Sequence, residues 1–174
     1  AIIGESIKRL GRYVGHKVIG DVHLGDWGLQ MGLIITELKH RSPELVYFQE
    51  GDKSPYPQEA PFTIGELEEI YPAASARSKE DEAYQKEAME ATRELQQGRP
   101  GYYALWNHIL QVSVADLKKN YERLNVTFDL WKKESDAQPY IPELVAYLKE
   151  KGYARLDQGA LVVDIAQEND SKEL

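Results

Sequence analysis

Residues 16–39 do most to restrict the fold of this chain. The run HKVIGDVHLGDWGLQMGLIITELK places apolar Val18, Ile19, Val22 and Leu24 in a short buried strand. A glycine-bracketed loop follows, and then Leu29, Leu33 or Ile34, and Leu38 fall on one face of a helix. Upstream, Ile3, Ile7, Leu10 and Val14 recur at helical spacing up to Gly15. Gly15 is a good stop, since glycine past a helix end takes positive φ without a Cβ clash. Helix, strand, glycine loop, helix is the order of a parallel α/β sheet, where ligands sit beyond the carboxyl ends of the strands. The expected fold class is therefore α/β. Ala1 offers no capping side chain, so the first helix reads as cut and the chain as a fragment of something longer.

The middle of the chain is of another kind. RSPELVYFQEGDKSPYPQEAPFT carries four of the eight prolines and reads as irregular. Thr63 caps a short helix, IGELEEIYP. Ser78 with Asp81 resembles a capping box for a long polar helix, whose single apolar stripe is Tyr84, Ala88, Ala91 and Leu95. After Gly98-Arg99-Pro100, the run GYYALWNHILQVSVADLKKNYERLNV is helical with a break near Ser113. Trp106, Leu110, Leu117, Tyr121 and Leu124 form its apolar face. Residues 63–124 thus read as a helical insertion, most simply an antiparallel hairpin. An α/β section returns in 125–174. Val126, Phe128 and Leu130 alternate as a strand, and Pro139–Lys151 is a helix with Ile141, Leu144, Val145 and Leu148 inward. YARLDQGALVVDIA turns as a hairpin at Gln158-Gly159.

Composition narrows the class. The 174 residues suit about one domain and an insertion, and no cysteine is present for disulfides or thiolate metal sites. No apolar run is long enough for a membrane span, and a cytoplasmic setting is expected. A formal charge of −8 argues against a general nucleic-acid coat, although Lys118, Lys119, Arg123, Lys132 and Lys133 form one local basic group. That group reads first as a solvated helix face.

Several stretches bear on chemistry. In YVGH, Tyr13 stands where a second imidazole is needed and the letters fall between helix and strand, so His16 reads as a turn residue. HLGDWG is stronger, because it closes a strand at the sheet's carboxyl edge. Gly25 and Gly28 allow close backbone approach, Asp26 offers an acceptor for an ammonium, and Trp27 a flat wall. The competing reading, with Asp26 as N-cap of the next helix and Trp27 in the core, stays open on these residues alone. Asp21 and His23 lack a third ligand nearby, so no metal site is expected. Glu134-Ser135 forms a possible secondary loop after a strand. Tyr102, Tyr103 and Trp106 read as helix-packing aromatics. No Ser-His-Asp set, Walker loop or G-x-G-x-x-G is present.

GDWGLQMG resembles the G-D-W-G-x-Q-F-G signature of arginyl-tRNA synthetases, class I enzymes. Gly25, Asp26, Trp27, Gly28, Gln30 and Gly32 match, and Met31 replaces Phe. IIGES at Ile2–Ser6 is similar to the helix that follows the family's H-x-G-H-L-R-S motif. FDLWKKES is similar to its strand and Gly-Glu-Ser loop, with Lys133 where Gly is usual, and QGALVV fits its hairpin.

The resemblance implies part of a Rossmann-like nucleotide-binding catalytic core with a mostly helical insertion. It divides the chain into a first-half core segment at 1–62, the insertion at 63–124 and a return to the core at 125–174. It implies a fragment of an arginine–tRNA ligase, which activates arginine with ATP and magnesium and transfers it to its tRNA. The histidine motif would lie upstream and the mobile lysine loop and anticodon-binding domain downstream. The fragment is then expected to be inactive alone, to hold no tight cofactor, to contain no catalytic residue, and to self-associate through surface left bare. By analogy with related class I enzymes, Asp26 would take the arginine ammonium. Trp27 and Gln30 would form the pocket wall, with His23 a neighbour, and the insertion would lie near the tRNA acceptor end. A stand-alone α/β module that uses its helical insertion to dock protein or RNA is the competing reading.

Overall fold

The computed structural model describes residues 1–157 and 159–165. The chain divides into two compact units, residues 1–134 and 135–174.

The first unit begins with α1 (Ile2–Tyr13), β1 (Asp21–Leu24) and α2 (Leu29–Arg41). As expected, α1 ends where Gly15 takes φ 92°. The Gly15 amide donates to Arg12 O and the His16 amide to Gly11 O, which satisfies the last carbonyls in the paired arrangement of a glycine cap. His16 is a turn residue.

The stripe that marked α1 as a helix does not face inward. Ile3, Ile7, Leu10 and Val14 are 60–78% exposed, whereas Glu5 and Lys8 are buried. The polar face of α1 is fixed to the segment ahead of β2 (Leu130–Lys133). Glu5 Oε2 accepts from the Thr127 amide at 3.0 Å and pairs with Lys8 Nζ at 2.7 Å. Lys8 Nζ donates to the Thr127 carbonyl and hydroxyl. Arg9 donates to Asn125 O and Arg12 to Asp129 Oδ2, each at 2.6 Å. The hydrogen bond from Lys8, with those from Thr127 and Arg9, holds the Glu5 carboxyl down at about 2.

β1 and β2 pair in parallel, with Asp21 opposite Leu130 and Leu24 opposite Lys133. Asp129 Oδ2 accepts from the Gly20 amide at 2.7 Å, and the Asp129 and Leu130 amides donate to Gly20 O. This corrects the strand placed on Val126 and Phe128: Val126 is buried ahead of the strand and the ladder starts at Leu130. In β1 only Val22 is buried, and Ile19, expected in a buried strand, lies outside it and exposed.

α3 (Ile64–Glu80), α4 (Glu82–Gln96) and α5 (Pro100–Arg123) follow the irregular segment. The Thr63–Glu66 capping box opens α3. Two corrections concern where these helices break. The short helix expected to end at Pro72 continues through it for two more turns as α3, and Asp81 rather than Ser78 caps α4 by accepting from the Ala83 and Tyr84 amides. α5 runs without the break expected near Ser113, and residues 63–124 form three helices.

The core is built where α2 meets these helices. Ile34, Ile35, Leu38, Leu95, Leu105 and Ile109 are buried together with Tyr47 and Trp106. The apolar stripe of α4 is buried at all four positions. α2 packs against α4 at Gly32, where an added Cβ would run into Ala88 O and the Thr92 hydroxyl. Leu124, assigned to the apolar face of α5, is exposed past the helix end.

In the second unit, α6 (Ile141–Glu150) precedes the antiparallel pair β3 (Ala154–Asp157) and β4 (Ala160–Val163). Gly152 ends α6 at φ 71°. Val145 and Leu148 are half-buried, but Ile141 and Leu144, expected inward, are exposed. Arg155 of β3 pairs with Asp157 in its own strand and with Asp164 across the hairpin. The hairpin turns at Gly159, φ 86°; Gln158 of the expected turn lies outside the described residues.

Candidate functional site

A parallel pair puts the carboxyl ends of both strands on one edge, and here that edge carries two of the expected loops. Leu24 lies opposite Lys133, so Gly25 and Glu134 leave the sheet side by side. A Cβ on Gly25 would sit 3.7 Å from Glu134 Oε1 and 3.2 Å from Gln30 Nε2. Gly25 and Glu134 are thus brought together from opposite ends of the unit. Ser135 opens the second unit and is half-buried there.

The loop Gly25–Gly28 is held from below and from the side. Gln30 Nε2 donates to Gly25 O at 3.1 Å, folding the first turn of α2 back onto the loop. A Cβ on Gly28 would approach Gln30 Oε1 to 2.8 Å, so a side chain there would displace the end of Gln30. From α5, Trp106 Nε1 donates to Asp26 O at 2.8 Å in a buried hydrogen bond. From the end of α4, Gln96 Nε2 donates to Trp27 O at 2.7 Å. The rings of Trp27 and Trp106 meet edge-to-face at 5.2 Å, and Tyr103 lies 4.9 Å from Trp106 on its other flank. Lys133 Nζ stands 5.4 Å from the Trp106 ring centre.

Each expected site residue has a definite place. Asp26 is 1% exposed. It does not cap α2: Gly28 occupies the N-cap position, with no side-chain cap. Trp27 is half-buried against the core. Gln30 also lines an open cavity of about 500 Å³ between α2, α3 and Ser113 of α5, walled by Met31, Ile34, Leu67 and Tyr71. His23 is exposed on β1, opposite Lys132. Lys133 takes no positive φ, so the glycine usual at that place is not needed for the turn. Of the basic group, Lys118 Nζ lies over the Trp131 ring at 5.1 Å and Lys133 Nζ over that of Trp106. Among the described residues no group of three or more His, Cys, Asp or Glu side chains converges as metal ligands. Nor is any helix among them long and apolar enough to cross a membrane.

Sequence reasoning missed Gln96 and Lys133 as neighbours of the loop, and it read Trp106 as packing alone. Trp106 is buried as expected, and its indole N–H has a second role that only the tertiary contact reveals.

The sequence profile of the catalytic domain of class I tRNA synthetases, arginine type, matches residues 1–174. The chain belongs to that family. The arginine–tRNA ligase of Agathobacter rectalis is 63% identical over 174 residues, all of this chain and 29% of the relative. That of Alkaliphilus oremlandii is 64% identical over 171 residues, 98% of this chain and 29% of the relative. The chain thus spans under a third of the length of these synthetases. The crystal structure of arginyl-tRNA synthetase from Plasmodium falciparum aligns with a TM-score of 0.67 at 24% identity, over 97% of this chain and 26% of that one, which establishes a shared fold. The expected α/β class I synthetase fold is borne out.

Proposed function

We propose that this chain is the part of an arginine–tRNA ligase that holds the amino group of arginine, within a cytoplasmic enzyme that joins arginine to its tRNA at the expense of ATP. The observation that carries the reading is the edge formed by β1 and β2. The G-D-W-G-x-Q signature and Glu134 meet there, at the carboxyl ends of parallel strands. In this reading 1–62 and 125–174 are core segments and 63–124 is the insertion between them.

Asp26 accepts the arginine ammonium, Trp27 and Gln30 form the wall, and His23 borders the site. Gly25 and Gly28 let the substrate approach the backbone, and Glu134 with Ser135 forms the secondary loop. A carboxylate removed from bulk water attracts a cation far more strongly than an exposed one. Asp26 is covered here, so the ammonium must displace what covers it. Phosphate chemistry needs groups that this stretch does not carry, since it contains no paired-imidazole motif.

Asp26→Asn in the full-length ligase is expected to raise the KM for arginine by about a hundredfold or more, since the buried charge partner is lost. Arginine-dependent exchange of pyrophosphate into ATP measures it, and an unchanged KM removes Asp26 from the site. The 174-residue chain alone is expected to give no such exchange. The exposed stripe of α1 supports the further reading that the isolated chain self-associates, because apolar patches of this kind seldom stay bare. Light scattering that finds a monomer at high concentration overturns it.

A further inference from the structure

The candidate loop does not hold its own shape. Two successive carbonyls, those of Asp26 and Trp27, accept hydrogen bonds from two helices distant in sequence. We propose that Trp106 and Gln96 are positioning residues of the arginine site, setting the backbone path of Gly25–Gly28 from the helical insertion; the assignment of arginine rests on the reading above.

Three observations carry this. First, the two donors come from α5 and α4, so the path of the loop follows the packing of these two helices. Secondly, Trp106 is buried and its bond to Asp26 O is buried, so removing the donor leaves a carbonyl with no access to water. Thirdly, the residues next to the loop tie its two ends, Gln30 Nε2 on Gly25 O and the Met31 amide on Gly28 O, while the Asp26 and Trp27 carbonyls between them accept from α5 and α4. With two glycines among four residues, the loop has wide backbone freedom. The Asp26 carboxylate is carried on that backbone, so the two outside donors contribute to where it sits. Lys133 over one face of the Trp106 indole and Tyr103 on its flank hold the ring in register with the loop. Neither residue needs to touch substrate for this role.

The test separates positioning from folding and from the ligase assignment. Gln96 is exposed, so its variants fold. In the 174-residue chain, Gln96→Leu is expected to speed amide hydrogen exchange in residues 25–30 by about tenfold, with exchange in α2 beyond Leu33 unchanged. Gln96→Lys, which keeps a donor, restores slow exchange. Trp106→Phe keeps a ring and loses the donor, and it gives the larger acceleration. In the full-length ligase the same changes raise the KM for arginine about three- to tenfold, with kcat and the KM for ATP little changed. Unchanged loop exchange in Gln96→Leu and Trp106→Phe overturns the proposal. So does faster loop exchange with an unaltered arginine KM in an active enzyme, or failure of Gln96→Lys to restore it. A full-length wild type without arginine-dependent exchange instead brings down the ligase assignment, while the hydrogen-exchange arms still decide whether these residues set the loop.

Discussion

Two joints in the first unit solve the same problem in opposite ways. Where α2 meets α4, apolar side chains are buried and Gly32 lets two backbones come close. Where α1 meets the Asn125–Asp129 segment, the buried side chains are Glu5 and Lys8, and the apolar ones point outward. The first joint depends mainly on volume, and its charged contacts, Lys39 and His40 with Glu87 and the Tyr84 hydroxyl on Glu37, flank a packed apolar face. The second depends on charge and is indifferent to the bulk of its outer stripe. A helix face is therefore not inward because it is apolar; it is inward because something complementary waits for it. For α1 that is the Thr127 amide, carbonyl and hydroxyl.

Gly32→Ala breaks the first joint hardest. The new methyl meets Ala88 O, which is backbone and cannot step aside as a flexible side chain can. A loss of about 3 kcal/mol or more in unfolding free energy is expected, and denaturant titration of the chain measures it. A loss under about 0.5 kcal/mol would mean that the helices part at little cost.

Acid distinguishes the joints. Glu5 titrates at about 2 when folded against 4.5 when free. A lowered folded value means that the unfolded chain binds the proton more readily. The contribution of Glu5 is therefore complete above about 4.5 and is lost as pH falls toward about 2. Hydrogen exchange along α1 is expected to accelerate through that window while Ile35 and Leu105 stay protected. Glu5→Gln should remove that pH dependence, and equal loss of protection in both regions would erase the contrast.

The smallest effect belongs to an ion pair outside both joints. Lys86 pairs with Glu82 across one turn of α4 with both side chains exposed. Lys86→Ala is expected to change stability by at most about 0.5 kcal/mol. A larger change in thermal unfolding would give surface charge a weight that the comparison denies it.

What could be read in the sequence was local. Gly15 and Gly152 stop their helices as expected, Thr63 caps α3, and Tyr84, Ala88, Ala91 and Leu95 are buried as a stripe. Each of these signals lies within a few residues of its effect. Pro72 and Asp81 misled because either residue has two uses. Proline ends many helices, yet α3 absorbs one, and an acidic residue three places after a serine can itself be the cap. Of the candidate site, the loop and its glycines were legible, as was Glu134 at a strand end. The meeting of Gly25 with Glu134 was not, nor were the bonds from Trp106 and Gln96, because no local pattern encodes a partner 69 or 80 positions away.

The Asp129 carboxylate, bound to the Gly20 amide one step before the ladder begins, has an electrical consequence at the far end of the strands. Side chains alternate along a strand, so a slip of one residue exchanges every neighbour. In the present alignment the residue leaving the sheet beside Gly25 is Glu134; one step away it would be Lys133. The sign of the charge at the mouth of the candidate site thus depends on a register that this carboxylate helps to hold about five residues away.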